Sequence, residues 1–107
     1  MTTSIQVKVF IEPSDAPEFL AAFKRVKAMA IAQPENISSS LYRNPKAPGE
    51  FKYVEDWNAS MDWIMKTVAT HETIKEFFEV RDRLSIKPRE TEIWTRVTQE
   101  EWNSIKL

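Results

Sequence analysis

The sequence predicts an α+β domain in which two helices lie on one face of a four-stranded antiparallel sheet. Three observations carry the prediction. Segments with strand-like and helix-like hydrophobic periods follow one another in the order β-α-β-β-α-β. Two extended runs in the middle are joined by a Pro/Gly-containing link, which makes a hairpin the simplest pairing. Right-handed crossovers then put both helices on the same side of the sheet. This is the split βαβ, or ferredoxin-like, arrangement. At 107 residues the chain is expected to form one domain over 1–107, with a core over 5–97 and a helical tail over 98–107.

The first strand is read from Ile5, Val7, Val9 and Ile11, which alternate with Gln6 and Lys8 until Pro13 ends the run. Ser14 or Asp15 can cap the next helix and Pro17 is tolerated in its first turn. Phe19, Phe23, Val26 and Ala30 give that helix an apolar stripe, and Pro34 closes it. Ile37–Arg43 and Glu50–Trp57 are the hairpin strands, with Asn44–Gly49 expected as a six-residue loop. Ser60 can cap a second helix carrying Met61, Ile64, Met65 and Val68; its register shifts near Thr70, and His71, Ile74, Phe77, Phe78 and Leu84 continue the apolar face. Glu90–Val97 is the last strand, with Thr91, Ile93, Thr95 and Val97 on one side. Thr98 and Glu101 match a capping box that opens a tail helix containing Trp102.

Composition narrows the chemistry. Lys and Arg number 15 against 16 Asp and Glu, so there is no cationic excess to displace counterions from nucleic acid. The absence of cysteine excludes disulfides, thiol nucleophiles and Cys-ligated metals, and the single His71 cannot build a multi-histidine site. One glycine, Gly49, excludes glycine-rich phosphate loops. No apolar run approaches the ~20 residues of a membrane helix, and Met1–Phe10 lacks a signal-peptide pattern. A cytoplasmic protein with no nucleic-acid or membrane partner, and with no metal or other cofactor, is expected. On the helix-free face, Phe10, Tyr42, Val54 and Trp94 would form an apolar patch larger than a small monomer exposes. A second copy packing sheet to sheet would cover it.

Several loose motifs in fixed order occupy the middle of the chain: Gln33-Pro34-Glu35-Asn36, Leu41-Tyr42-Arg43-Asn44-Pro45, Pro48-Gly49-Glu50-Phe51, Glu55-Asp56-Trp57-Asn58, and the run from Thr70-His71 to Phe77. Together they resemble the antibiotic biosynthesis monooxygenase (ABM) family of dimeric α+β barrels, over roughly residues 5–97. The resemblance implies a homodimer with one ligand pocket per subunit, between helices and sheet. It also implies a cofactor-independent monooxygenase that uses dioxygen to oxidise a small aromatic or polyketide-like metabolite of secondary metabolism. Other members are isomerases, cyclases or decarboxylases, and a non-catalytic ligand-binding dimer is a further alternative; fold alone does not choose among them. Many members carry two histidines five residues apart on the second helical segment; here His71 holds the later position and Lys66 the earlier. In the heme-degrading branch a histidine ligand falls about where Phe78 stands, and the first strand offers Gln6 and Lys8 in place of its Asn, so heme degradation is not expected.

Each candidate site residue has a functional and a structural reading. His71, with Lys66 as its alternate, could act as the pocket base, or His71 could begin a helix and bond its neighbours. Trp57 and Trp63 could form walls for a planar substrate, or pack in a core or interface. Tyr53 and Arg43 could hold a developing anion, or simply be solvated. Glu55 lies two residues before Trp57 and so shares its face of the strand; if inward, it needs a partner such as Lys66 or Arg96, and it reads as a dimer or core salt bridge before a catalytic acid. Phe77 could line the pocket. Lys24-Arg25-Lys27 and Arg81-Asp82-Arg83 read as solvated faces and loops.

Overall fold

A computed structural model describes residues 1–106. The elements are β1 (Thr3–Phe10), α1 (Ala16–Ile31), β2 (Asn36–Asn44), β3 (Ala47–Trp57), α2 (Met61–Thr67), α3 (Glu72–Leu84), β4 (Glu90–Thr95) and α4 (Gln99–Asn103). The sheet is antiparallel with strand order β2-β3-β1-β4, the ferredoxin-like order. Pairing of Val7 with Tyr53 and Thr91, and of Ile5 with Glu55 and Ile93, turns the odd-numbered side chains of β1, β3 and β4 toward the helices.

The hairpin is tighter than its Pro/Gly content suggests. β2 and β3 run on to an Asn44–Ala47 pair, which leaves only Pro45 and Lys46 between the strands in place of the expected six-residue loop. Asn44 closes this turn by accepting from the Lys46 amide at 2.9 Å and donating to Glu50 at 2.6 Å. Pro48 is tolerated because it sits in the irregularity between the Asn44–Ala47 and Arg43–Phe51 pairs, where no regular ladder bond demands its amide. Gly49 is needed for a different reason: its carbonyl accepts from the Ile11 amide at 2.8 Å, and a Cβ there would fall 2.0 Å from the Ile11 carbonyl oxygen.

The second helical segment is two helices. Ser60 caps α2 by accepting from the Trp63 amide at 3.1 Å, and the helix ends after seven residues. A turn over 68–71 follows, closed by the His71 amide donating to the Val68 carbonyl at 3.0 Å. α3 then starts afresh, so the shift of register at Thr70 is a chain break between helices. α1 has Asp15 at its N-cap without a side-chain cap bond, preceded by a single 3-10 turn over Pro13–Asp15. The capping box at Thr98 and Glu101 is present, both reciprocal bonds being 3.1 Å.

The core lies between the helices and the sheet. Phe19, Phe23, Val26 and Ala30 of α1 pack on Val9, Phe51 and Tyr53, joined by Ile74 and Phe77 of α3. On the helix-free face Tyr42 and Trp94 are more than half exposed. Phe10 is not part of that exposed patch: the segment after α3 crosses it, with the Lys87 ammonium 3.9 Å over its ring and the Ile86 amide bonded to its carbonyl at 2.8 Å. From Ile86 to Lys106 every residue is exposed. The radius of gyration, 15.4 Å, exceeds the ~13 Å usual for a chain of this length. No helix is long and apolar enough to cross a membrane among the described residues.

Candidate active site

The helix-facing side chains of β3, in order, are Phe51, Tyr53, Glu55 and Trp57. Phe51 is roofed by α1, its ring 5.0 Å from that of Phe19. Trp57 is fully buried, 6.3 Å from Trp63 of α2. Between these two filled ends lies a cavity of about 390 Å³, roofed by α2, the following turn and α3, and floored by Ile5, Val7, Tyr53, Glu55, Thr91 and Ile93. That volume is within the roughly 300–1,000 Å³ typical of small-molecule sites. The roof is apolar: Met61, Ile64, Met65 and Val68 on one side, Ile74, Phe77 and Phe78 on the other.

Polar side chains interrupt this apolar lining at two places, at Glu55 and at the end where Tyr53, Arg81, Asp82 and Arg89 meet. Glu55 is only 6 % exposed, and among the described residues its sole hydrogen bond comes from the Trp57 indole N–H, which donates to Oε2 at 3.3 Å. Neither Lys66 nor Arg96 reaches it: Lys66 pairs with Asp62 at 3.0 Å on the outer face of α2, and Arg96 lies 3.6 Å from Asp56. Burial without a cation pushes the Glu55 carboxyl up to about 7, the Trp57 bond offsetting only part of the effect. Directly across on β2, the buried Ser39 hydroxyl has no hydrogen-bond partner among the described residues.

The second place centres on a pair. Arg81, 4 % exposed, comes off the last turn of α3 and donates from Nη1 to the Tyr53 hydroxyl at 2.8 Å. The Arg81-Asp82-Arg83 cluster is therefore not a uniformly solvated face. Arg83 points out to Glu18, whereas Arg81 turns inward, its guanidinium 4.2 Å from the Phe78 ring centroid. Helical spacing explains it: Arg81 stands at i+7 from Ile74 and i+4 from Phe77, on the buried stripe of α3. Burial pushes the Tyr53 phenol up despite the opposing pull of Arg81.

Of the other candidates from the sequence, Phe77 lines the cavity, packing 5.4 Å from Tyr53. Trp57 lies behind Glu55 and acts on the cavity through it. Trp63 packs on Trp57 and Arg43 stacks 4.6 Å over Phe51, both outside the cavity. His71 is exposed at the N-cap of α3, where Nδ1 accepts from the Thr73 amide at 3.1 Å. Neither His71 nor Lys66 lines the cavity. Among the described residues no three His, Asp or Glu side chains gather into a metal-sized cluster.

An antiparallel sheet covered on one face by helices, with an apolar pocket holding a buried carboxyl beneath α2 and α3, defines a small α+β fold of ferredoxin-like order. Residues 3–79 match the antibiotic biosynthesis monooxygenase family, and the chain belongs to that family. It is 29% identical over 106 residues to a Pestalotiopsis microspora protein named "Putative monooxygenase GME11364", covering 99% of this chain and 88% of that one. Solved structures share the fold at lower identity. A structure described as an antibiotic biosynthesis monooxygenase superposes with a TM-score of 0.79 at 14% identity, covering 90% of this chain and 99% of that chain. Rv0793 from Mycobacterium tuberculosis gives 0.80 at 11% identity, covering 92% and 98%. Family and relative together support a monooxygenase-like function.

Proposed function

We propose that this protein is a cofactor-independent monooxygenase that oxidises a small, flat, apolar molecule bearing an acidic hydroxyl or activated methylene, with Glu55 as the proton acceptor. The observation that carries the reading is a carboxyl with a pKa near neutrality that faces the apolar part of the cavity and, among the described residues, is bonded to no cation. Such a group is ionised often enough to take a proton and neutral often enough to return it. Glu55 removes the substrate proton, leaving an electron-rich anion that the apolar roof shields from water. The anion gives one electron to dioxygen, and recombination forms a carbon–oxygen bond to a peroxide. Loss of water, with Glu55 returning its proton, leaves a carbonyl. The sum is CH2 + O2 → C=O + H2O, with all four electrons taken from the substrate carbon.

The test is oxygen uptake by the purified protein with anthrone- and naphthol-type substrates, alongside Glu55→Gln. Uptake that disappears in the variant is expected. Turnover without oxygen consumption would instead select an isomerase- or decarboxylase-type reaction in the same cavity.

A homodimer is the second part of the proposal. It is supported by Tyr42 and Trp94 standing open on the helix-free face, and by the exposed C-terminal arm with Val97, Trp102 and Ile105. Sedimentation equilibrium at micromolar concentration should give twice the monomer mass; a strictly monomeric species with a concentration-independent melt would sink the dimer.

A further inference from the structure

We propose that the Arg81 end of the cavity is an anion subsite, and that the molecule bound there carries a carboxylate attached to the flat apolar body that fills the rest. This deepens the reading of the cavity as a substrate site and rests on it. The relevant residues lie where two elements converge: Tyr53 on β3, and Arg81 and Asp82 at the end of α3, with Arg89 just before β4. The family match ends at residue 79, so the three charged members lie beyond it.

The donor inventory is unbalanced. A guanidinium has five N–H groups. Arg81 commits Nε and one Nη2 hydrogen to Asp82, at 3.0 and 3.5 Å, and one Nη1 hydrogen to Tyr53. That leaves one hydrogen on each terminal nitrogen without an acceptor among the described residues. The Tyr53 hydroxyl accepts from Arg81, while its own O–H donates to nothing there. Asp82 is already engaged, taking Arg81 on one side and Arg89 at 3.1 Å on the other. Two guanidiniums against one carboxylate leave this end one positive charge in excess.

Geometry favours a carboxylate. Phe78 lies against the guanidinium and Asp82 holds its edge, so the fork is fixed before a ligand arrives. A planar acceptor with two oxygens matches that fork, and the Tyr53 O–H supplies a third donor. An ester of the same acid keeps the shape but loses the charge and one acceptor role.

The experiment is an anaerobic fluorescence titration of the purified protein with 6-hydroxy-2-naphthoate, its methyl ester and 2-naphthol. The free acid is expected to bind on the order of ten- to a hundredfold more tightly than either uncharged probe. Arg81→Gln should abolish that preference, and Tyr53→Phe should reduce it several-fold. Equal binding of acid and ester to the unmodified protein, failure of the acid to bind below millimolar concentration, or a preference surviving in folded Arg81→Gln would each overturn the proposal. The acid–ester comparison needs no variant, so it stands even if Arg81→Gln does not fold. Oxygen uptake is read separately: tight, acid-selective binding without uptake keeps the subsite and removes the oxygenase reading. Uptake with equal binding does the reverse.

Discussion

The helix-facing side of the sheet has two halves built from the same strands and filled in opposite ways. Under α1 the space is solid. Phe19 and Phe51 are essentially inaccessible, and Phe19, Phe23 and Phe77 meet at centroid distances near 6 Å. Under α2 and α3 the space is hollow, although the strands beneath are continuous with the solid half. The difference begins in sequence. α1 runs unbroken for 16 residues and presents Phe19 and Phe23 on successive turns, followed by Val26 and Ala30; α2 stops after seven, and position 55 of the floor carries a carboxyl where position 51 carries a ring. Phe77 is the shared wall, touching Phe19 and Phe23 on one side and Tyr53 on the other. The solid half supplies the stability that lets the other half stay open.

That division predicts that substitutions in the two halves fail differently. The largest effect is expected at Glu55. Glu55→Gln keeps the shape and the Trp57 contact but removes the proton acceptor, so turnover should fall by about 10²–10⁴. Its effect on stability should have the opposite sign. The folded-state pKa, near 7, is above the ordinary value of 4.5, so folding favours the neutral carboxyl. The stability from that preference is complete below the unfolded pKa and is lost as pH rises through 7. The difference between wild type and Glu55→Gln should therefore shift by about 3 kcal/mol between pH 4 and pH 8, in favour of the variant at high pH. Urea melts at the two pH values read it directly; a constant difference would mean that Glu55 is not held neutral by the fold.

In the solid half, Phe19→Ala should cost about 3–5 kcal/mol, because the rings of Phe51 and Phe77 on either side cannot collapse into the space. The fraction that remains folded should bind the naphthoate probe unchanged. A binding defect matching the stability loss would show that the two halves are not separable and that Phe77 transmits packing changes to the cavity.

How far each half can be read from the sequence follows from the same physics. The solid half is legible, because its residues obey one rule: Phe19, Phe23, Val26 and Ala30 repeat at helical spacing, and Val7 and Val9 alternate along a strand. The shared face of Glu55 and Trp57 also follows from spacing of two, and their hydrogen bond is its outcome. The polar end of the cavity is different. Arg81 is written between Asp82 and Val80 in a run of charges, and charge argues for solvent; only its place on the Ile74–Phe77 stripe points inward. Glu55's lack of a cation could not be read, because it depends on Lys66 and Arg96 finding Asp62 and Asp56 across space. The break at 68–71 appeared as a shift of period, which does not distinguish a kinked helix from two helices.

The smallest effects are expected at the two residues that sequence motifs make most conspicuous. His71 accepts the Thr73 amide at the start of α3, a hydrogen bond that stabilises a helix end by about 0.5–2 kcal/mol. His71→Ala should lower stability by that amount, and His71→Asp should restore most of it, since a carboxylate caps as well as an imidazole nitrogen. Neither variant should change turnover beyond twofold. Lys66→Ala removes a solvent-exposed i,i+4 pair with Asp62, and should change stability by no more than about 0.5 kcal/mol. The decisive sample is the double replacement of His71 and Lys66 by Ala. If Glu55 is the base, the double variant keeps its rate and loses only the sum of two small stability terms. A hundredfold rate loss that His71→Asp shares, although its cap is intact, would return proton transfer to the imidazole and require α3 to open so that His71 reaches the cavity.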